Sequence, residues 1–194
     1  MHRDLFFPTA IYIADIGSED LNKYLEKHII DWSQKDTGMQ RTNVNSWHSK
    51  DDMFHMPEYK QILDLLFQMQ NQIYQEEGLE PEPVIGSMWA NINPKGGFNT
   101  SHIHPNCLWS GVYYVKTPPN CGRLQIIDPR AVAAMIRPHY IKEQKPYQWR
   151  EISYEPIAGR CIMFPSWLEH RVESNQSDDY RISISFNFIQ KRFA

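Results

Sequence analysis

The residues best suited to chemistry are three histidines in two places, His102 and His104 in TSHIHP and His170 in FPSWLEHRV. On an extended segment, side chains two apart leave the backbone on one side. The imidazoles of His102 and His104 can therefore reach one metal ion while a third ligand arrives from a strand distant in sequence. An isolated H-x-H pair is more often surface or hydrogen-bonded structure than a ligand pair. Weight is added by Arg181, eleven residues after His170 and followed at i+2 by Ser183. A planar guanidinium holds a carboxylate with two prongs and a serine hydroxyl adds a third donor, as the far end of a buried dicarboxylate requires. The competing reading of Arg181 is a surface ion pair with Asp178 or Asp179, which contributes little.

The segment that carries Arg181 divides by parity into two chemically different faces. Arg181, Ser183, Ser185 and Asn187 point one way, and Ile182, Ile184, Phe186 and Phe188 the other. One face then packs on a layer while the other lines a polar cavity or meets solvent. Trp89, Asn91 and Asn93 share a face of the strand leading to the paired histidines, and the amides of Asn91 and Asn93 are placed to orient a bound acid. In LWSGVYYV, Ser110 and Tyr114 share a parity; the Tyr114 hydroxyl is a candidate donor to that acid, although Tyr113 or Tyr114 can equally be core. Arg130, in a loop after Asp128, is expected to meet solvent rather than substrate. His48, His55 and His139 have no comparable context.

Two kinds of element must position these groups, because the hydrophobic period changes from about 3.6 to 2 near residue 83. The first eighty residues read as helix with some extended chain. Ser18 is placed to cap a helix with Glu19 and Asp20 in its first turn and Leu21, Tyr24, Leu25, Ile29 and Trp32 on its apolar face, a region ended by Gly38. A second helix is expected from Pro57 through Ile62, Leu63, Leu66, Met69 and Ile73 to Gly78. From Val84 onward, the runs VIGSMWANIN, LWSGVYYV, RLQIID, EISYEPI, RCIMF and RISISFNFI read as strands separated by proline, glycine and asparagine turns. Many short strands in one half of a chain indicate a sandwich or barrel, with the upstream helices packed on one sheet.

With 194 residues, 41% of them hydrophobic, the chain is expected to form one domain, residues 1–83 covering a core at 84–190. A net charge of -3 with scattered Lys and Arg gives no general attraction to nucleic acid or anionic lipid. No apolar run approaches the roughly 20 residues that cross a bilayer, and the N-terminus lacks a signal-peptide pattern, so a cytoplasmic protein is expected. Three cysteines, Cys107, Cys121 and Cys161, without C-x-x-C spacing argue against a disulfide framework and a thiolate zinc site.

Over roughly residues 84–190 these features resemble the small prolyl-hydroxylase-like branch of the iron(II)/2-oxoglutarate oxygenases. The run GRCIMFPSWLEHRV resembles that superfamily's approach to its distal histidine. The resemblance implies a mainly β protein with N-terminal α-helices and a double-stranded β-helix core, of the jelly-roll, cupin-like kind. It implies Fe(II), 2-oxoglutarate as co-substrate and O2, with hydroxylation as the default outcome. It makes His102 the proximal ligand, His170 the distal ligand and Arg181, helped by Ser183, the anchor of the 2-oxoglutarate C5 carboxylate; Asn91 and Tyr114 are the further contacts that strand parity offers.

This chain departs from the superfamily at His104, where a carboxylate usually stands. In one reading all three ligands are histidines, His102, His104 and His170. In the other Asp128, from IIDPR, supplies the carboxylate, and one paired histidine moves away from the metal. The 102/104 spacing favours the first, and the alternative reading of Asp128 is a cap for the turn before Pro129. Two other functions compete: a three-histidine cupin-like oxygenase that does not use 2-oxoglutarate, and a non-catalytic jelly-roll binding module. The partner expected is a small-molecule or peptide substrate, and a homodimer is left open. The polar-aromatic segment TNVNSWHS, 42 to 49, is a candidate wall of the substrate entrance.

Overall fold

The computed structural model describes residues 2–80, 83–130, 132, 135–136 and 138–190. Among these residues, eleven strands and two α-helices follow the order β1 (Tyr12–Asp15), α1 (Glu19–Ser33), β2 (Asn43–Val44), β3 (Trp47–His48), α2 (Lys60–Glu77), β4 (Pro83–Asn93), β5 (Phe98–His102), β6 (Trp109–Lys116), β7 (Leu124–Ile127), β8 (Glu151–Tyr154), β9 (Arg160–Pro165), β10 (His170–Val172) and β11 (Arg181–Gln190). They form two antiparallel sheets among the described residues. One has the order β1-β9-β6-β11-β4-β3 and the other β2-β5-β10-β7-β8.

The parity of β11 explains the layering. Ile182, Ile184, Phe186 and Phe188 are fully buried in one cluster with Met88, Ala90 and Ile92 of β4 and with Leu25, Ile29, Ile62 and Leu66 of the two helices. Each such aliphatic or aromatic side chain contributes about 1.5 to 3 kcal/mol of transfer free energy. A second cluster, Tyr114, Leu124, Ile126, Ile162, Phe164 and Leu168, ties the inner faces of the two sheets together. The opposite parity of β11, beginning with Arg181, lies on that inner side and lines a cavity.

Helix α1 starts where expected, with the Ser18 hydroxyl accepting from the Leu21 N–H at 3.2 Å. It stops five residues before Gly38. Gly38 instead sits in a turn at φ +74°, its N–H held by the Asp36 carboxylate at 2.8 Å. A 3-10 turn at Pro57–Tyr59 leads into α2, which Gly78 closes in the left-handed conformation.

The reading of the first eighty residues as helix with some extended chain is too coarse. The chain there adds β1 to the outer edge of β9, β2 to β5 and β3 to β4, so both sheets take strands from it. Strands β2 and β3 hold two residues each, too short to leave a period in the sequence. All three cysteines are free, with Cys121 and Cys161 buried.

Candidate metal and co-substrate site

Strand β10 lies between β5 and β7, and His170 is the cross-strand partner of His102 on one side and of Ile126 on the other. His104 follows β5, fixed by its N–H donating to the Ser166 carbonyl at 3.0 Å. The three rings have centroid separations of 4.3 Å (His102–His170), 5.0 Å (His102–His104) and 5.1 Å (His104–His170). One nitrogen from each falls within 4.8 Å of the others.

The protonation of two rings follows from their partners. Nδ1 of His102 lies 2.7 Å from the Thr100 carbonyl, and Nδ1 of His170 lies 2.9 Å from the Leu168 carbonyl. A carbonyl can only accept, so each Nδ1 carries the proton and each Nε2 keeps its lone pair free. Burial holds all three imidazoles neutral: it lowers His102, takes His104 down to about 4 and His170 down to about 3, with the neighbouring histidines acting in the same direction on the latter two. Neutral imidazoles are the form that binds metal. Phe164 stands edge-on to His170 at 4.8 Å, and Trp89 packs 5.8 Å from His104.

Arg181 is 1% exposed, the largest fully buried side chain of the described chain. Its Nη1 donates to the carbonyls of Cys121, Gly122 (3.3 Å) and Glu173 (3.1 Å), while Nη2 is buried with no partner. The surface ion-pair reading therefore fails: Asp178 pairs with Lys95 and Asp179 with Lys116. A cavity of about 190 Å³ opens beside Arg181, lined also by Ser183, Tyr114, Asn91 and the three histidines. Across its floor run Tyr114, Ser183, Asn91 and His48, register partners on β6, β11, β4 and β3. Asn91 donates to Ser185 at 3.3 Å and its Oδ1 is buried without a partner.

Other predicted lining groups are already engaged. Ser110 donates to Asn187 at 2.6 Å, Asn187 to Ser87 at 2.9 Å, and Asn93 to Ser46 at 2.7 Å. Tyr113 belongs to the helix-side core and donates to Asn22. Asp128 lies outside the histidine cluster, held by Arg130 at 2.9 Å and Arg150 at 3.4 Å, and it accepts the Arg130 N–H as a turn cap. The Arg130 side chain is half exposed and bound to Asp128. His55 and His139 do not line the cavity.

Four residues escaped sequence reasoning: Arg41 and Asp51, which line the cavity, and His48 and Gly122. His48 is buried and lines the cavity, stacked on Trp89 at 5.4 Å and 9° with its Nδ1 donating to the Ser49 carbonyl at 2.6 Å. The available signal was composition alone, the same polar-aromatic character that marked residues 42 to 49 as an entrance wall, where Thr42 also lines the cavity. Gly122 stands at φ +86°, and a Cβ there would meet Arg181 Nη1 at 2.9 Å. Its signal was the Asn120-Cys121-Gly122 turn.

The donor set fits the groups that the sequence pattern implied. Two free Nε2 atoms and a third neutral imidazole suit a divalent transition metal. An uncompensated buried guanidinium with a spare nitrogen suits a carboxylate.

A family model described as "Putative 2OG-Fe(II) oxygenase" matches residues 87–187. No curated protein matches the sequence. Among solved structures, a Pseudomonas putida prolyl-4-hydroxylase is similar at 19% identity and TM-score 0.67, with 94% of each chain covered. The viral collagen prolyl hydroxylase of Paramecium Bursaria Chlorella virus-1, solved with 2-oxoglutarate, is similar at 13% identity and TM-score 0.62, covering 92% of this chain and 94% of that one. HygX of Streptomyces hygroscopicus, solved with nickel and 2-oxoglutarate, matches at 8% identity and TM-score 0.65 over 94% of this chain and 84% of its own. These likenesses show a shared double-stranded β-helix fold. With the family match spanning more than half of its length, the chain belongs to the 2-oxoglutarate- and iron(II)-dependent oxygenases.

Proposed function

We propose that this oxygenase is a hydroxylase that holds Fe(II) through His102, His104 and His170 and 2-oxoglutarate through Arg181, Ser183 and Tyr114. The observation that carries the co-substrate assignment is the unpaired charge of Arg181. A guanidinium buried among carbonyls with one nitrogen unpartnered is costly unless an anion completes it. Ser183, Tyr114, Asn91 and the three imidazoles, which line the same cavity, carry no charge to offset it. A dicarboxylate spanning from Arg181 toward the histidines would balance that charge.

When bound, iron with 2-oxoglutarate and O2 supplies an oxidant strong enough to break a substrate C–H bond, with succinate and CO2 as co-products. The chain's own part is positioning. The Thr100 and Leu168 carbonyls fix two imidazoles by their Nδ1 protons, so the rings point their lone pairs inward without reorganisation. Arg181 receives the distal carboxylate and Ser183, one register step away on the same face, adds a donor. Leu124, Val112 and Phe164 limit water beside the histidines.

Isothermal titration of Mn(II)-loaded protein with 2-oxoglutarate tests the reading without turnover. Wild type should bind one equivalent. Arg181→Ala removes one partner of a buried charge-assisted pair, a loss of about 2 to 5 kcal/mol, so affinity should fall roughly 30-fold or more. Absence of binding to wild type, or equal binding by the variant, would leave a three-histidine oxygenase without 2-oxoglutarate in its place.

A further inference from the structure

The cavity has a second charged end that the co-substrate does not use. The chain from 47 to 52 runs beside β4, fixed by Ser49 N–H to the Ala90 carbonyl (3.0 Å), Ala90 N–H to the Ser49 hydroxyl (2.9 Å) and Met88 N–H to the Asp51 carbonyl (2.9 Å). This rail holds His48 and Asp51 on the cavity wall, and Arg41 joins them from the bend just before β2. Arg41 and Asp51 are the opposite charges at this end, and they do not satisfy each other. Their closest approach is 3.9 Å, Asp51 Oδ1 is buried without a partner, and the guanidinium makes no other bond among the described residues. Both side chains remain about half exposed, as groups at an entrance must be. The flat stack of His48 on Trp89 links the two ends: His48 lies within reach of both charges, and Trp89 packs 5.8 Å from His104.

An orphaned carboxylate oxygen calls for a cation or N–H donor, and a guanidinium held by one ion pair at 3.9 Å has donors left over for an anion. The two are too close together to serve separate ligands. We propose that Arg41 and Asp51 read the carboxylate and ammonium of a free α-amino acid, whose side chain lies along the Trp89–His48 stack toward the three histidines. The size of the cavity, about 190 Å³ to be shared with a dicarboxylate, suits a small zwitterion better than a folded partner. Peptide-bonded residues lack both charges and would leave Arg41 and Asp51 with only their loose mutual ion pair.

This inference rests on the proposed co-substrate assignment, and its test separates the two. Mn(II)- and 2-oxoglutarate-loaded protein is titrated calorimetrically with the proteinogenic L-amino acids, then with the N-acetyl and carboxamide derivatives of any that bind. One or more amino acids should bind, and each derivative should lose about tenfold or more, the value of one charge-assisted hydrogen bond. Asp51→Asn and Arg41→Gln should each lose a similar factor while 2-oxoglutarate affinity stays within about twofold, which also reports that the fold is intact. If 2-oxoglutarate itself fails to bind wild type, the proposed function falls. Binding of 2-oxoglutarate with no amino acid, equal binding of the blocked derivatives, or unchanged amino-acid affinity in both variants each overturns this inference alone.

Discussion

His170 and His102 are direct partners across the β5–β10 pair, with ring centroids 4.3 Å apart although 68 positions separate them in sequence. Both rings are oriented by backbone carbonyls of their own segments, so removing one leaves the other in place. His170→Ala should abolish stoichiometric Fe(II) binding measured anaerobically while the circular dichroism spectrum stays native. Unchanged iron affinity would remove the histidine cluster from the metal assignment.

Asp128 distinguishes the two ligand sets. Its carboxylate is held by two arginines rather than by the histidines, so Asp128→Asn should keep iron at one equivalent. The hydrogen bond from Arg130 holds the carboxyl below its ordinary value, with the charges of Arg130 and Arg150 adding to the effect. A depressed folded-state pKa gives stability that is present above the unfolded value, near 4, and lost as pH falls through the folded one. Wild type should therefore be more stable than Asp128→Asn at pH 7, and the gap should narrow as pH drops below about 4. Urea denaturation of the metal-free proteins at several pH values reads this directly. Loss of iron from the variant with its fold intact would return Asp128 to the ligand set.

Arg181 depends on a glycine for its place. At Gly122 the backbone is left-handed and the position of a Cβ is taken by the Glu173 carbonyl, with Arg181 Nη1 at 2.9 Å. Gly122→Ala should cost about 1 to 3 kcal/mol of stability. It should also weaken 2-oxoglutarate binding more than Mn(II) binding, because the guanidinium must shift. Arg181→Lys should restore only part of what Arg181→Ala loses, since an ammonium keeps the charge without the planar fork. Equal 2-oxoglutarate affinity for wild type and Gly122→Ala would show that the guanidinium is held by other means.

The sequence by itself determined the parity of β11, the six long strand segments, the caps at Ser18 and Gly78, and the three histidines as a candidate cluster. Each of these is written in local spacing: a period of 2 or 3.6, a capping residue, or a pair two apart on an extended segment. Three things were decided only in the folded molecule. Short strands β2 and β3 join the sheets by pairing with β5 and β4, and two residues carry no period to read. His48 reaches the cavity because β3 lies beside Asn91 on the edge of its sheet, a neighbour 43 positions away. Asp128 is held chiefly by its neighbour Arg130 at 2.9 Å, and Arg150 joins at 3.4 Å from the far side of a long loop beside β8, so the carboxylate that the sequence offered to the metal is engaged by two arginines. Local pattern sets which face a side chain takes, and pairing between distant strands sets what that face meets.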